Sequence, residues 1–454
     1  MAALAAGLAA ADAVKREVLH EPVVFSDRAE LIELVRHPEF YLPFAGTGLV
    51  LAGAAAALVL VGAAAWAIPP LWPWSPWPAL AATAAVAIVL FLPGWPPLLR
   101  RLQHRYDTLA PTRDPAQDAA AWGLPASLVI HATLAKAERP VRRSAPPVLR
   151  TPVRRTLGGD RRGPVVMVQL ESFFDPRGIH PCMSNSVMPG LDAARTQAVS
   201  WGPLTVPSWG ANTVRTEFSA LTGLDETTLG LDRFNPYERF ARARVDSLAW
   251  RMQAAGRRTI CLHPFDPRFY GRRHVIPALG FQRFIGPDAF SGAERKQVFL
   301  DDGALARAAA EILAAEGPDL FLFVISIGNH GPWLSDRGPE DGAPLPEPLR
   351  ALPEAEQLRR YLGGLRRTDA VFSTLTTSLR QHSYPGLLLA YGDHQPSLPK
   401  LFDALNHHGT ETDYLLWDAA MPPAPPRAAV RLAVAGLPQL VLDQLNVTHH
   451  GAAA

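Results

Sequence analysis

Four short apolar runs, each closing on ionisable residues, constrain this chain more than any other feature. Residues 165–170 run into Glu171-Ser172-Phe173, and residues 259–262 end at His263, with Asp266 and Arg268 just beyond. Residues 319–327 lead into Gly328-Asn329-His330-Gly331-Pro332-Trp333, and residues 386–391 into Gly392-Asp393-His394-Gln395-Pro396. Short apolar runs bounded by turn residues read as buried strands. Helical patterns fall between them, at 245–255, 303–315 and 358–381. Strands alternating with helices predict an α/β sandwich with a largely parallel sheet. Ligands bind such sheets beyond the carboxyl ends of the strands. One histidine after a strand is unremarkable, but four strand ends carrying carboxylates and imidazoles describe a site. That mixture of donors suits a divalent cation such as Mn, Mg or Zn.

A further segment, Pro207-Ser208-Trp209-Gly210-Ala211-Asn212-Thr213-Val214-Arg215-Thr216-Glu217-Phe218, reads as a loop entering a helix. Thr213 falls near the helix start, where backbone N–H groups and the helix dipole favour anions. A lone threonine there is more often a cap. Beside a cation its hydroxyl would instead become a nucleophile toward phosphorus.

Composition narrows the function. The formal net charge is +2 over 454 residues, with no long lysine run, so a nucleic-acid partner has no electrostatic support. The two cysteines, Cys182 and Cys261, lie outside any thiolate zinc spacing; they could form one disulfide if the domain is exported, but pairing is the lesser expectation. Residues 44–68 and 77–95 carry no charge, and each is long enough to cross the roughly 30 Å hydrocarbon core at about 1.5 Å per residue. Trp66, Trp72, Trp74, Trp77 and Trp95 fall where an aromatic belt belongs, around a Pro/Trp turn at 69–76. The expectation is an α-helical membrane hairpin, with a juxtamembrane segment before it (1–43), the two spans (44–99), a helix-containing linker (100–160) and a catalytic domain (161–447). A soluble helical hairpin is the lesser reading of the same residues. Met1 to Ala11 is Ala-rich without a basic start, which fits the remnant of another membrane helix rather than a signal peptide.

The motifs in order are Glu171-Ser-Phe, Gly210-Ala-Asn-Thr213-x-x-x-Glu217-Phe218 with Leu221-Thr222-Gly223, Asn329-His330-Gly331-Pro332-Trp333, and Gly392-Asp393-His394-x-Pro396. This set resembles the lipoteichoic acid synthase and phosphoglycerol transferase family of the alkaline phosphatase–sulfatase superfamily, over roughly 160–445. The segment 15–27 is similar to the one that precedes the family's last membrane helices. The resemblance implies a sulfatase-like sandwich and one divalent metal, Mn first and Mg or Zn as alternatives, held by Glu171, Thr213, Asp393 and His394. It implies Thr213 as nucleophile and His330 as the acid/base or substrate histidine. His263, Tyr270 and Arg272 take the offsets of the family's phosphoglycerol site, with Trp333 beside the substrate. The sequence departs from the family pattern in two places. Tyr270 stands where the family has tryptophan, and Phe265 stands at the family's acidic position, with Asp266 one place later.

The implied reaction moves glycerophosphate from a phospholipid, phosphatidylglycerol, to a glycan or polymer hydroxyl through a phospho-threonine intermediate. A phosphoethanolamine transferase, or a hydrolase of phosphodiesters or sulfate esters, would use the same site. Sulfatase chemistry is disfavoured because Cys182-Met183-Ser184-Asn185-Ser186 lacks the C/S-x-P-x-R context. From another class, a non-catalytic membrane glycan-binding protein would have lost a metal ligand, and none is missing. The family places its catalytic domain outside the cytoplasmic membrane. Arg100, Arg101 and Arg105 after the second span argue for the cytoplasmic side instead. The expectation follows the family: a bacterial inner-membrane protein with an exported catalytic domain.

Overall fold

The structure is a computed structural model. It describes residues 2–45, 108–142, 162–183, 188–241, 244–290, 299–334, 344–422 and 427–446, with isolated positions at 48, 55, 105 and 342. The expected membrane hairpin therefore lies, apart from Phe44, Ala45, Gly48 and Ala55, outside the described residues. No helix among the described residues is long and apolar enough to cross a membrane. The chain divides into two compact units, Met1–Ala145 with Gly230–Phe234, and Pro146–Leu229 with Asn235–Ala454.

The larger unit is built on eight strands: β1 (Val165–Leu170), β2 (Ala198–Thr205), β3 (Arg258–Leu262), β4 (Arg283–Ile285), β5 (Leu320–Ile325), β6 (Leu387–Gly392), β7 (Thr412–Asp418) and β8 (Leu432–Ala433). Their order across the sheet is β4-β3-β5-β1-β6-β7-β2-β8. From β4 to β6 every pairing is parallel, whereas β7 runs antiparallel to both β6 and β2. The four strands read from the sequence are thus four neighbours, β3, β5, β1 and β6.

Alternation of side chains explains their apolar runs. In β1, Val166, Val168 and Leu170 pack on one face while Val165 and Met167 pack on the other. In β5, Leu320, Leu322 and Val324 oppose Phe321, Phe323 and Ile325 in the same way. Both faces are covered by helices, so both must be apolar. Asp302–Glu316 and Ala355–Gln381 supply one cover, and Thr213–Thr222, Leu248–Ala254 and Leu437–Asn446 the other.

The smaller unit is helical, with Ala2–Leu19, Glu30–Arg36, Leu42–Ala45, Pro115–Trp122 and Leu124–Arg142. Val24, Ile130, Leu134, Ala135, Leu231 and Phe234 form its core. The linker expected to contain a helix holds two, Pro115–Trp122 and Leu124–Arg142, separated at Gly123, whose φ of 82° is a conformation that favours glycine. Polar groups tie the unit together: Lys15 Nζ donates to Glu21 and Asp27 at 2.7 Å each, and His131 Nε2 lies 2.6 Å from buried Asp118.

Candidate active site

Register places the acidic residues side by side. Leu170 of β1 is paired with Gly392 of β6, so the chain leaves both strands at the same level, into Glu171 and into Asp393-His394. Gly392 allows this close approach. A Cβ there would stand 1.8 Å from the Phe173 carbonyl oxygen, so any side chain would push the two strand ends apart. Ser172 adopts a left-handed φ of 52° and donates its backbone N–H to Asp393 Oδ1 at 2.9 Å. Its hydroxyl donates to Glu171 Oε1, also at 2.9 Å.

One donor atom each from Glu171, Asp393 and His394 falls within 4.8 Å of the others, and all three residues are buried. His394 Nε2 lies 3.4 Å from Glu171 Oε1, 3.4 Å from Asp393 Oδ2 and 3.4 Å from the Thr213 hydroxyl. Burial and the neighbouring Asp393 charge push the Glu171 carboxyl well above its ordinary range, and burial raises Asp393 too. Two buried carboxylates at this spacing call for positive charge.

Two observations show that the set fits a divalent cation. Asp393 Oδ2 is buried and has no hydrogen-bond partner, whereas Oδ1 is satisfied by the N–H groups of Ser172 and His394. His394 Nδ1 donates to the Gln395 carbonyl at 2.9 Å, which leaves the lone pair on Nε2, the atom facing the carboxylates. An orphaned carboxylate oxygen and an imidazole lone pair aimed at one point are what a metal ligand set requires.

Thr213 is the first residue of the helix Thr213–Thr222, and Asn212, in a left-handed conformation (φ 64°), precedes it as the N-cap. The N-cap position thus belongs to Asn212, whose side chain makes no capping bond, and the threonine hydroxyl is left for the acidic cluster. The helix start is pinned to the sheet. Gly210 N–H donates to the Gln395 carbonyl at 3.2 Å, and the Thr216 hydroxyl to the Asp393 carbonyl at 2.7 Å. All ten helix residues are buried, including Glu217.

Glu217, so far only a motif position, is the hub of a buried polar chain. It receives Arg272 Nη2 at 2.8 Å and Nε at 3.2 Å, Gln169 Nε2 at 3.1 Å, and the Tyr237 hydroxyl. Arg272 Nη1 in turn faces His263 Nε2 at 3.3 Å, while His263 Nδ1 donates to the Ile325 carbonyl at 3.0 Å. Burial and the guanidinium hold His263 well below its ordinary pKa, so it is neutral at pH 7. The Tyr270 ring lies 5.4 Å from the Arg272 guanidinium carbon, and its own φ is 53°. Ser172, Asn212 and Tyr270 each hold a left-handed backbone beside a candidate functional side chain, as strained positions at functional sites do.

Breaking a buried ion pair from one side leaves an uncompensated charge. Glu217→Ala should therefore lose about 3–5 kcal/mol of stability in urea melts. A loss under about 1 kcal/mol would mean that water or another group already neutralises Arg272.

His330 Nδ1 donates to the Gly331 carbonyl at 2.6 Å, so Nε2 is the nitrogen able to take a proton. Trp333 is buried, donates to Asn329 Oδ1 at 3.1 Å and meets Tyr361 edge-on at 5.2 Å. The Tyr361 hydroxyl donates to the Ser172 carbonyl, linking this packing to the acidic cluster. Asp266 is engaged by Arg268, at 2.6 Å from Nη2, and the Phe265 ring stands 6.4 Å from that of His263. Cys182 and Cys261 are both free.

The loop that carries His330 is held by buried Asp302, which accepts from Gly328 N at 3.0 Å and from the Thr368 hydroxyl at 2.7 Å. Burial raises the Asp302 carboxyl to about 6. Because its folded pKa lies above the ordinary value, folding favours the protonated form. The contribution is complete below about pH 4 and is lost as pH rises through about 6, on the order of 3 kcal/mol. Asp302→Asn should flatten that part of the stability–pH curve. An unchanged slope in melts from pH 4 to 7 would assign it to another group.

The model of the sulfatase family matches residues 164–445. A capsular polysaccharide biosynthesis protein, RkpI, of Rhizobium meliloti (strain 1021) is 33% identical over 287 residues, covering 62% of this chain and 49% of that protein. The chain thus spans about half the length of that relative. Among solved structures, the Streptococcus pyogenes phosphoglycerol transferase GacH in complex with sn-glycerol-1-phosphate is similar at a TM-score of 0.51 and 22% identity, over 69% of this chain and 80% of that one. The integral membrane protein lipooligosaccharide phosphoethanolamine transferase A from Neisseria meningitidis is similar at a TM-score of 0.55 and 16% identity, over 98% of this chain and 83% of that one. These two likenesses are likenesses of fold.

Proposed function

The chain belongs to the sulfatase family, and from that premise we propose that it is a membrane-anchored phosphotransferase that moves glycerophosphate from a phospholipid to a glycan hydroxyl through Thr213. The observation that carries this reading is the Thr213 hydroxyl standing 3.4 Å from His394 Nε2, beside two buried carboxylates. An alcohol at the nucleophile position, without a modifiable cysteine or serine in sulfatase context, favours phosphoryl over sulfuryl transfer. A relative named for capsular polysaccharide biosynthesis supports a glycan acceptor, and a similar fold solved with sn-glycerol-1-phosphate supports the group transferred.

Glu171, Asp393, His394 and Thr213 would hold one divalent cation, Mn before Mg or Zn, which when bound would supply Lewis-acid stabilisation of developing negative charge. The remaining steps belong to the chain itself. Thr213 Oγ, its proton lost to solvent, forms a bond to the lipid phosphorus, and the bond from phosphorus to the diacylglycerol oxygen breaks. His330 Nε2 gives that oxygen a proton. An acceptor hydroxyl then attacks the glycerophospho-threonine, its proton passes to His330, and the P–Oγ bond breaks. The amides at the start of the Thr213–Thr222 helix face the phosphoryl oxygens. Neutral His263 and the Tyr270 hydroxyl hold the glycerol, with Arg272 fixing the His263 ring. Trp333 backs the substrate through its packing, and Asp266 takes the place of the family's acid at the rim.

Mass spectrometry of the Thr213 peptide after incubation with phosphatidylglycerol tests this directly. Addition of one glycerophosphate supports it. Addition of phosphoethanolamine from mixed lipids would name the rival head group, and an unmodified peptide in a protein that turns over would refute the covalent route.

The catalytic unit is proposed to face the exported side of the inner membrane, with 69–76 in the cytoplasm. A cysteine placed in that turn should resist impermeant thiol reagents in intact cells, and one placed at exposed Glu347 should label. The reverse pattern would mean that the arginines after the second span set the orientation.

A further inference from the structure

The short helix Glu30–Arg36 has its polarity reversed. Leu31, Ile32 and Val35 are 63, 55 and 81% exposed, and Leu42 beyond it is 41% exposed. Val35 lies three residues from Ile32 and four from Leu31, which puts the three on one side of the helix. The acids point the other way. Glu33 is buried at 8% exposure, with Oε1 3.7 Å from Arg36 and Oε2 4.0 Å from His37, and Glu30 accepts the Tyr41 hydroxyl at 2.5 Å. Burial raises the Glu30 carboxyl to about 7. A surface helix in water does the opposite, burying its apolar stripe and wetting its charges. A helix that turns Leu, Ile and Val outward and carboxylates inward has an outside that is not water.

The sequence says what that outside is. The first uncharged apolar run begins at Phe44, two residues after Leu42, so the apolar face is continuous with the chain's entry into its first long apolar stretch. Arg36, at the C-terminal end of the helix with half its side chain exposed, is placed to meet anionic headgroups. A second protein copy would need a larger apolar area than four side chains, whereas an interfacial helix needs only a narrow face buried at the headgroup–acyl boundary.

We propose that Glu30–Arg36 is an interfacial helix whose Leu31–Ile32–Val35 face, continued by Leu42, lies in the lipid leaflet from which the first span sets out. This rests on the membrane-anchored reading above. The helix would fix the height and tilt of the segment before the span and so hold the helical unit down on the bilayer surface.

The test uses the full chain in vesicles of phosphatidylglycerol and phosphatidylethanolamine. Cys182→Ser removes the more accessible thiol, Cys261 being buried, and Val35→Cys then carries an environment-sensitive fluorophore. Emission should be blue-shifted and quenched several-fold more by lipids spin-labelled near the headgroup than by lipids labelled at the chain end. Water-like emission from protein that resists carbonate extraction would overturn the interfacial helix and leave the membrane anchor standing. Protein lost to carbonate would overturn both. Shielding that disappears when the protein is diluted in lipid would assign the face to a second copy and overturn the proposal. Because Val35 is already exposed, the label does not disturb the core; Ile32→Cys repeats the measurement from the same face.

Discussion

Thr213→Ala should reduce transfer at least about a thousandfold while the protein still melts cooperatively near the wild-type midpoint. Removing a nucleophile commonly costs several orders of magnitude in rate. The stability cost is small because the threonine hydroxyl contributes only weak contacts within the acidic cluster, at 3.4 Å to His394 Nε2 and toward the Asp393 carboxyl, and no helix cap, since Asn212 holds that position. Removing one such hydroxyl is worth on the order of 1 kcal/mol. Thr213→Ser should keep the mass adduct and a measurable rate, because the attacking oxygen stays at the start of the same buried helix. An alanine variant that keeps a tenth of the wild-type rate would end the covalent mechanism, whatever the family.

What could be read from the sequence follows from which strands are buried on both faces. β3, β5, β1 and β6 lie between helical layers, so their alternating side chains are mostly apolar, Gln169 and Arg258-Thr259 excepted, and stand out as near-continuous runs. β2 escaped notice because Ala198–Thr205 contains Gly202 and Pro203, residues that ordinarily speak against a strand. Gly202 is there for a close approach: a Cβ would stand 2.5 Å from the Val430 carbonyl oxygen, information held 228 residues away. β4 and β8 are three and two residues long, too short to show a period.

The site divides in the same way. Glu171, Asp393 and His394 were legible because each directly follows a parallel strand, and only the register Leu170–Gly392 was needed to bring them together. His263 and Arg272 were grouped through the resemblance, but the place of Glu217 between Arg272 and the helix of Thr213 was not legible, because the three come from two helices and a strand end and meet only through packing. A glutamate four residues after Thr213 was the available signal: it puts Glu217 one turn along, on the same side of the helix as the nucleophile. The reversed helix Glu30–Arg36 was not picked out in the sequence, because seven residues are too few to show a period, and only the fold shows which face turns outward.

The ligand set can be separated from the proton-transfer group by two substitutions that should behave differently. Asp393→Asn keeps a carbonyl oxygen to accept from the Ser172 and His394 N–H groups, so the loop it organises should survive. Its other atom becomes a donor where buried Oδ2 had an unpartnered lone pair, and a neutral amide is a poor ligand for a hard cation. This variant should purify metal-poor and lose turnover. His330 is not one of the three clustered donors, and its ring is bound to the Gly331 carbonyl and packed 5.2 Å from Phe299. His330→Ala should purify with wild-type metal and still lose turnover by about a hundredfold or more, the usual scale of a lost general acid. Chelation of the wild type should abolish activity, and Mn should restore it better than Mg or Zn, because two carboxylates and an alkoxide outnumber one imidazole. Elemental analysis of both variants beside their rates decides the matter. A metal-free His330 variant would move that histidine into the ligand set, and a fully loaded Asp393→Asn protein would mean that the cation sits elsewhere and that the unpartnered Oδ2 serves some other purpose.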